Sequence, residues 1–138
     1  MRSPQYTREI PQRYRLEAGK CTNCGKVHFP PRLICDACRC REFEDITLPR
    51  EGKVLTWTVI YVPPPRFDLE VPYVVAIVEL ESGVRQDAGQ VRLTCQVVDC
   101  DPDELAVDLP VELVFRRIQE DSQADIIQYG YKAVLKRE

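Results

Sequence analysis

From residue 52 onward the chain is a succession of β-branched and aromatic runs separated by turn-forming residues. Gly52 opens Lys-Val-Leu-Thr-Trp-Thr-Val-Ile-Tyr-Val, residues 53–62, which ends at Pro63-Pro64-Pro65. Both alternating sets of this run, Val54/Thr56/Thr58/Ile60 and Leu55/Trp57/Val59/Tyr61, are largely apolar or β-branched, which predicts a strand covered on both faces. Residues 73–81 form a second run that stops at Ser82-Gly83, and residues 90–98 a third that stops near Asp101-Pro102. Asp101-Pro102-Asp103-Glu104-Leu105 reads as an N-capped single turn of helix. Residues 111–118 and 125–135 supply two more strands. Five strands with a short helical element between the third and fourth match a small Greek-key barrel of OB type.

The first 45 residues carry a different pattern. Residues 1–20 hold Pro4, Pro11, Tyr6, Tyr14 and Leu16 among many charges, which predicts an arm with a short helix around residues 12–18. The apolar residues of that arm need a surface, supplied by the chain itself or by a partner. Next come Cys21 and Cys24, then Cys35 and Cys38, each pair separated by two residues. That spacing lets a tight turn aim both sulfurs at one metal, and Gly25 is free to take a positive φ there. Two such pairs make a four-thiolate zinc site in which protein fills every position, so the metal is structural rather than catalytic. Cys40 follows two residues after Cys38 and competes for the fourth position, where the two-residue spacing favours Cys38. The expected organisation is an arm over 1–20, a zinc ribbon over 21–45 and an OB-fold domain over 46–138. A segment as short and polar as the one before residue 46 holds together through its metal.

Charge narrows the function classes. The net charge is −3, so no overall basic field draws in a phosphate backbone, and nucleic-acid binding is disfavoured. Residues 1–45 balance to +3 and residues 46–138 to −6. Four thiolates with one Zn²⁺ contribute about −2, which brings the N-terminal part to roughly +1. Seven cysteines could suggest a disulfide scaffold, but the odd count and the metal spacing of four of them point to a reducing cytoplasm. No apolar run suggests a signal peptide or a membrane span.

The order of motifs is more specific than any one of them: a cysteine ribbon with Phe29-Pro30-Pro31-Arg32 between its pairs, Gly52-Lys53-Val54 opening the first strand, and Gly130-Tyr131 near the end. In this order the chain resembles the zinc-ribbon OB-fold family that accompanies thiolases, over about residues 12–135. The resemblance implies a rubredoxin-like ribbon followed by the barrel, in a noncatalytic companion subunit. Its implied partners are thiolase-superfamily enzymes: acetyl-CoA acetyltransferase with hydroxymethylglutaryl-CoA synthase, as in the mevalonate pathway, lipid-transfer-protein-like thiolases, or steroid side-chain aldolases. The implied role is to bridge enzymes and help form a shared acyl-CoA (CoA thioester) site.

Outside the cysteines the candidate contacts are few. Arg32 follows two prolines, a rigid mounting for a guanidinium aimed at a phosphate or carboxylate, or simply a solvated side chain. Pro64, Arg66 and Phe67 belong to a stiff run that suits docking on another protein at little ordering cost, or a strand-ending loop whose prolines discourage edge pairing. Trp57, Tyr61, Tyr73, Phe115 and Tyr129 are expected in the barrel core, the alternative being a base-stacking platform on a nucleic-acid-binding module. Cys95 is expected in the core, with Cys40 and Cys100 at turns. No catalytic residue is assigned: the single histidine, His28, lies in the ribbon loop, so no Cys/His set can be assembled in the barrel.

Overall fold

A computed structural model describes residues 3–65, 71–81, 90–121 and 126–137. It contains helix α1 (Ser3–Arg15) and strands β1 (Glu17–Cys21), β2 (Val27–His28), β3 (Phe43–Thr47), β4 (Glu51–Ile60), β5 (Tyr73–Leu80), β6 (Val91–Val98), β7 (Pro110–Asp121) and β8 (Ile126–Leu135). The first three strands form an antiparallel sheet in the order β2-β1-β3, and the other five close a barrel in the order β4-β5-β6-β8-β7. That order, with β6 parallel to β8, is the OB-fold barrel expected from the strand pattern. A 3₁₀ turn, Pro102–Glu104, joins β6 to β7. It is held by a capping box: the Asp101 carboxylate accepts from the Asp103 amide, and Glu104 accepts from the Asp101 amide. No helix among the described residues is long and apolar enough to cross a membrane.

The helix is longer and earlier than the expected 12–18. Pro4 falls in its first turn, where a missing N–H costs nothing, and Pro11 is accommodated inside it. The helix stops because Leu16 takes φ 52°, a left-handed conformation normally given to glycine. Leucine is placed there by burial: Leu16 is fully buried, its carbonyl accepts from the Leu48 amide, and Arg50 donates to the Tyr14 carbonyl. Ala18 therefore belongs to β1, not to the helix. The surface that the arm needed is the barrel itself, where Tyr14 meets Phe115 edge to face at 5.0 Å.

Ribbon and barrel share one core. Leu16, Ala18, Val27 and Leu48 join Val54, Val78, Leu80, Val111 and Leu113 in a continuous buried cluster, and Phe29 reaches from the ribbon to Tyr131 of β8. Burial of this kind contributes about 25 cal/mol per Å² of apolar surface, so the ribbon draws stability from the barrel as well as from its cysteines.

Strand β4 corrects the expectation of two-sided burial. Its register with β5 shifts between Val54 and Thr56. Before the shift Gly52 and Val54 face inward; after it Trp57 and Val59 pack against the core while Thr56 and Thr58 are exposed. Each alternating set thus supplies half of one buried face, because a bulge reverses the phase. On the outer surface Glu79 is buried between Lys53 of β4 at 3.7 Å and Arg92 of β6 at 3.2 Å, its two cross-strand neighbours.

The tightest backbone approach is at Gly52. A Cβ added there would lie 2.6 Å from the Glu79 carbonyl oxygen and 3.0 Å from Val78 Cγ1. Backbone cannot yield as a flexible side chain can. Gly52→Ala is expected to cost about 2 kcal/mol or more of folding stability, measured by urea denaturation.

Candidate metal centre and exposed surfaces

The two cysteine pairs lie on matching turns. In the first, the Gly25 amide donates to the Cys21 carbonyl at 3.0 Å and the Cys21 amide to the Lys26 carbonyl at 2.9 Å. In the second, the Arg39 amide donates to the Cys35 carbonyl at 3.0 Å and the Cys35 amide to the Cys40 carbonyl at 2.9 Å. Each turn needs its fifth residue left-handed, with Gly25 at φ 77° and Arg39 at φ 61°. Glycine adopts this freely; arginine does so at a cost.

These turns bring Cys21, Cys24, Cys35 and Cys38 together, with all four Sγ atoms within 4.8 Å of one another. Cys21 and Cys38 are 3.4 Å apart and Cys24 and Cys35 3.5 Å. A tetrahedral ion with metal–sulfur bonds of about 2.3 Å sets its sulfurs about 3.8 Å apart, so the cluster fits Zn²⁺. Cys40 is not the fourth member: its Sγ turns to the Glu42 backbone and lies 4.0 Å from Thr22 Oγ1.

The thiols are unlike one another. Hydrogen bonds from Asn23 and from the Cys40 backbone hold Cys38 down at about 6. For Cys24 the Lys26 backbone pulls down, but desolvation and the neighbouring thiols Cys35, Cys38 and Cys21 outweigh it and push the group up to about 12. Crowded thiols resist joint ionisation until a cation is among them. His28 is buried against Phe43, and its Nε2 lies 3.4 Å from Cys35 Sγ and 3.8 Å from Asp36 Oδ1. Burial lowers the His28 pKa, opposed by the charge of Asp36. A neutral ring protonated at Nε2 donates to the Cys35 sulfur and steadies it as a ligand.

The other candidates scatter. Arg32 and Pro64 are both exposed, Arg32 on the ribbon loop and Pro64 after β4. Arg66 and Phe67 lie outside the described residues. Cys95 is in the core as expected, and burial pushes its thiol up to about 12. The aromatic residues divide: Trp57 packs on the core, but Tyr61 is 71% exposed and Phe115 49%, against the expectation of core placement. Phe115 stacks on Tyr129 with ring centres 5.2 Å apart, on strands that carry the barrel sheet past its core. Among the described residues the most exposed apolar side chains are Leu33 at 88%, which sequence reasoning missed together with Ile34 beside it, and Val62 at 82%, at the head of the stiff run expected to suit docking. The available signal was their position, each next to a proline-bearing loop that cannot fold back on a core.

Comparison with known proteins places this architecture. Residues 8–44 match the model of the ChsH2 rubredoxin-like zinc ribbon domain, and residues 45–116 that of the ChsH2 C-terminal OB-fold domain. The chain belongs to the ChsH2 (DUF35) family. This DUF35 chain is 48% identical over 126 residues to a DUF35 domain-containing scaffold protein of Methanocaldococcus jannaschii, covering 91% of the one and 84% of the other. It is 30% identical over 120 residues to the benzoylsuccinyl-CoA thiolase subunit BbsA of Geobacter metallireducens, covering 86% and 75%. Among solved structures it superposes on a chain of the Ltp2-ChsH2(DUF35) aldolase with a TM-score of 0.72 and 25% identity, covering 96% and 92%.

Two outcomes are expected of the metal centre. Cys38→Ser should lose most of the bound zinc in elemental analysis of the purified chain, whereas Cys40→Ser should retain it. Because Cys24 stays protonated at neutral pH without metal, zinc uptake at pH 7 should release protons. Chelators should strip the ion more readily toward pH 6, where Cys38 also begins to protonate, as followed by calorimetry in buffers of different ionisation heat.

Proposed function

We propose that the chain is a zinc-stabilised, noncatalytic scaffold subunit that binds a thiolase-superfamily enzyme and helps hold its acyl-CoA substrate. The observation that carries this reading is the kinship with named scaffold proteins along nine-tenths of the chain, joined by a thiolase subunit of the same family. Claisen chemistry needs a cysteine nucleophile with histidine bases. The single histidine here is committed to the cysteine cluster, and Cys95 is buried with a raised pKa, so bond-making falls to the partner. The finer assignment is a partner pair of acetyl-CoA acetyltransferase and hydroxymethylglutaryl-CoA synthase. There the chain would bridge the two enzymes and keep an unfavourable condensation product close to its consumer.

Exposed apolar side chains on stiff mounts support a docking role. Leu33 follows Pro30 and Pro31, and Val62 precedes Pro63 and Pro64. Apolar groups this open to water favour a partner surface, and proline reduces the entropy lost in binding. Affinity capture with the zinc-loaded chain, followed by mass spectrometry, should recover a thiolase-superfamily enzyme together with a CoA ester. Leu33→Asp should weaken that capture at least tenfold and leave the melting temperature of the free chain unchanged. Recovery of ribosomal or polymerase components instead would overturn the reading.

A further inference from the structure

Strands β6 and β8 pair only through Val97↔Ala133 and Val98↔Val134. Beside that short contact, under α1, lies a cavity of about 370 Å³. Val75 and Ile118 give it apolar wall, Thr94 and Gln96 give it hydrogen-bonding groups, and Arg13 and Lys132 give it charge. A water molecule takes about 30 Å³ in the liquid, so the space suits a ligand of on the order of ten heavy atoms.

The charges around it are matched except one. Arg13 pairs with Glu9 at 2.5 Å, Arg117 with Glu120 at 3.4 Å, and Arg116 with Asp99. Lys132 is more than nine-tenths buried and pairs with no carboxylate among the described residues. The side chain is largely covered while its ammonium keeps solvent contact, and a partly desolvated ammonium without a counter-ion favours an anion taken from solution. Burial, and then the charges of Arg116 and Arg117, lower the pKa of Lys132, which is the electrostatic cost of that missing anion.

We propose that this cavity binds a small amphipathic carboxylate, with its head on Lys132 and its apolar body along Val75 and Ile118. One unmatched cation calls for one negative charge. A phosphate dianion would bring surplus charge into a largely apolar space, whereas a carboxylate balances Lys132 and leaves Thr94 and Gln96 to complete its hydrogen bonds. The site is separate from the cysteine cluster and does not depend on which enzyme the chain accompanies.

The test is calorimetric titration of the zinc-loaded full chain with octanoate, with octanol as the uncharged body of the same length. Saturable octanoate binding is expected, at least tenfold weakened in Lys132→Met and largely retained in Lys132→Arg. Octanol should bind at least tenfold more weakly than octanoate. Removing an unmatched, partly desolvated cation should also raise the melting temperature of the Lys132→Met chain, which distinguishes a ligand group from a structural one. In the unmodified chain, the amide resonances of Thr94, Gln96 and Lys132 should shift on octanoate addition, a readout that needs no variant. Failure of the intact chain to bind octanoate overturns the proposal, as does equal binding by Lys132→Met or a marked loss of its thermal stability.

Discussion

Four sulfurs within 4.8 Å of one another are tolerable as thiols and repel as thiolates, and the N-terminal third of the molecule is arranged around that conflict. A divalent cation resolves it by replacing thiol protons with a shared charge. The turns that deliver the sulfurs are costly in backbone terms, since both require a left-handed residue and only one has a glycine to offer. Arg39 carries strain of about 1 kcal/mol that the completed site must offset. Backbone geometry, thiol ionisation and metal affinity are therefore one coupled equilibrium rather than three separate properties.

The cluster is not self-sufficient. Strand β2 is only two residues long, and the segments around the cysteines offer little apolar surface apart from Val27, Ala18 and the partly buried Phe29, Phe43 and Ile46. Leu16 and Leu48 carry the ribbon into the barrel core, and the hydrogen bond between their backbones closes the junction. This placement fixes the angle between metal site and barrel, because fully buried side chains tolerate little displacement. A ribbon hinged freely on its barrel could not present the two parts as one fixed surface. The shared core supplies that rigidity in the chain itself.

What the sequence revealed follows from how local each determinant is. Cysteine spacing and the five strand runs are local patterns, and both reappear in the structure with strand boundaries displaced by up to three residues. The capping box at Asp101 is equally local and was legible for that reason. The bulge in β4 was not, because a phase reversal leaves both alternating sets apolar and mimics two-sided burial. The helix end was hidden too, since a left-handed leucine is chosen by tertiary burial against its own backbone preference. Phe115 and Tyr129 looked like core for the same reason in reverse: composition records that a residue is aromatic, not that β7 and β8 run on past the core that would cover it. The setting of the unmatched Lys132 charge is built from five elements, α1, β5, β6, β7 and β8, and no linear pattern encodes it.

The metal site and the exposed loop beside it are linked by chain connectivity. Leu33 stands two residues before Cys35, which is fully buried in the cluster, and directly after Pro30, Pro31 and Arg32. A loop pinned by a ligand at one end and stiffened by prolines at the other has little conformational entropy left to lose. Fixing a residue costs about 1–2 kcal/mol of backbone entropy, and here much of that cost is met during folding and metal binding rather than at the moment of association. A structural zinc can in this way raise the affinity of a surface it never touches. Under the docking role proposed above, the ion acts through the stiffness it gives residues 29–34, and the exposed leucine at that tip would be a preorganised anchor instead of a flexible one.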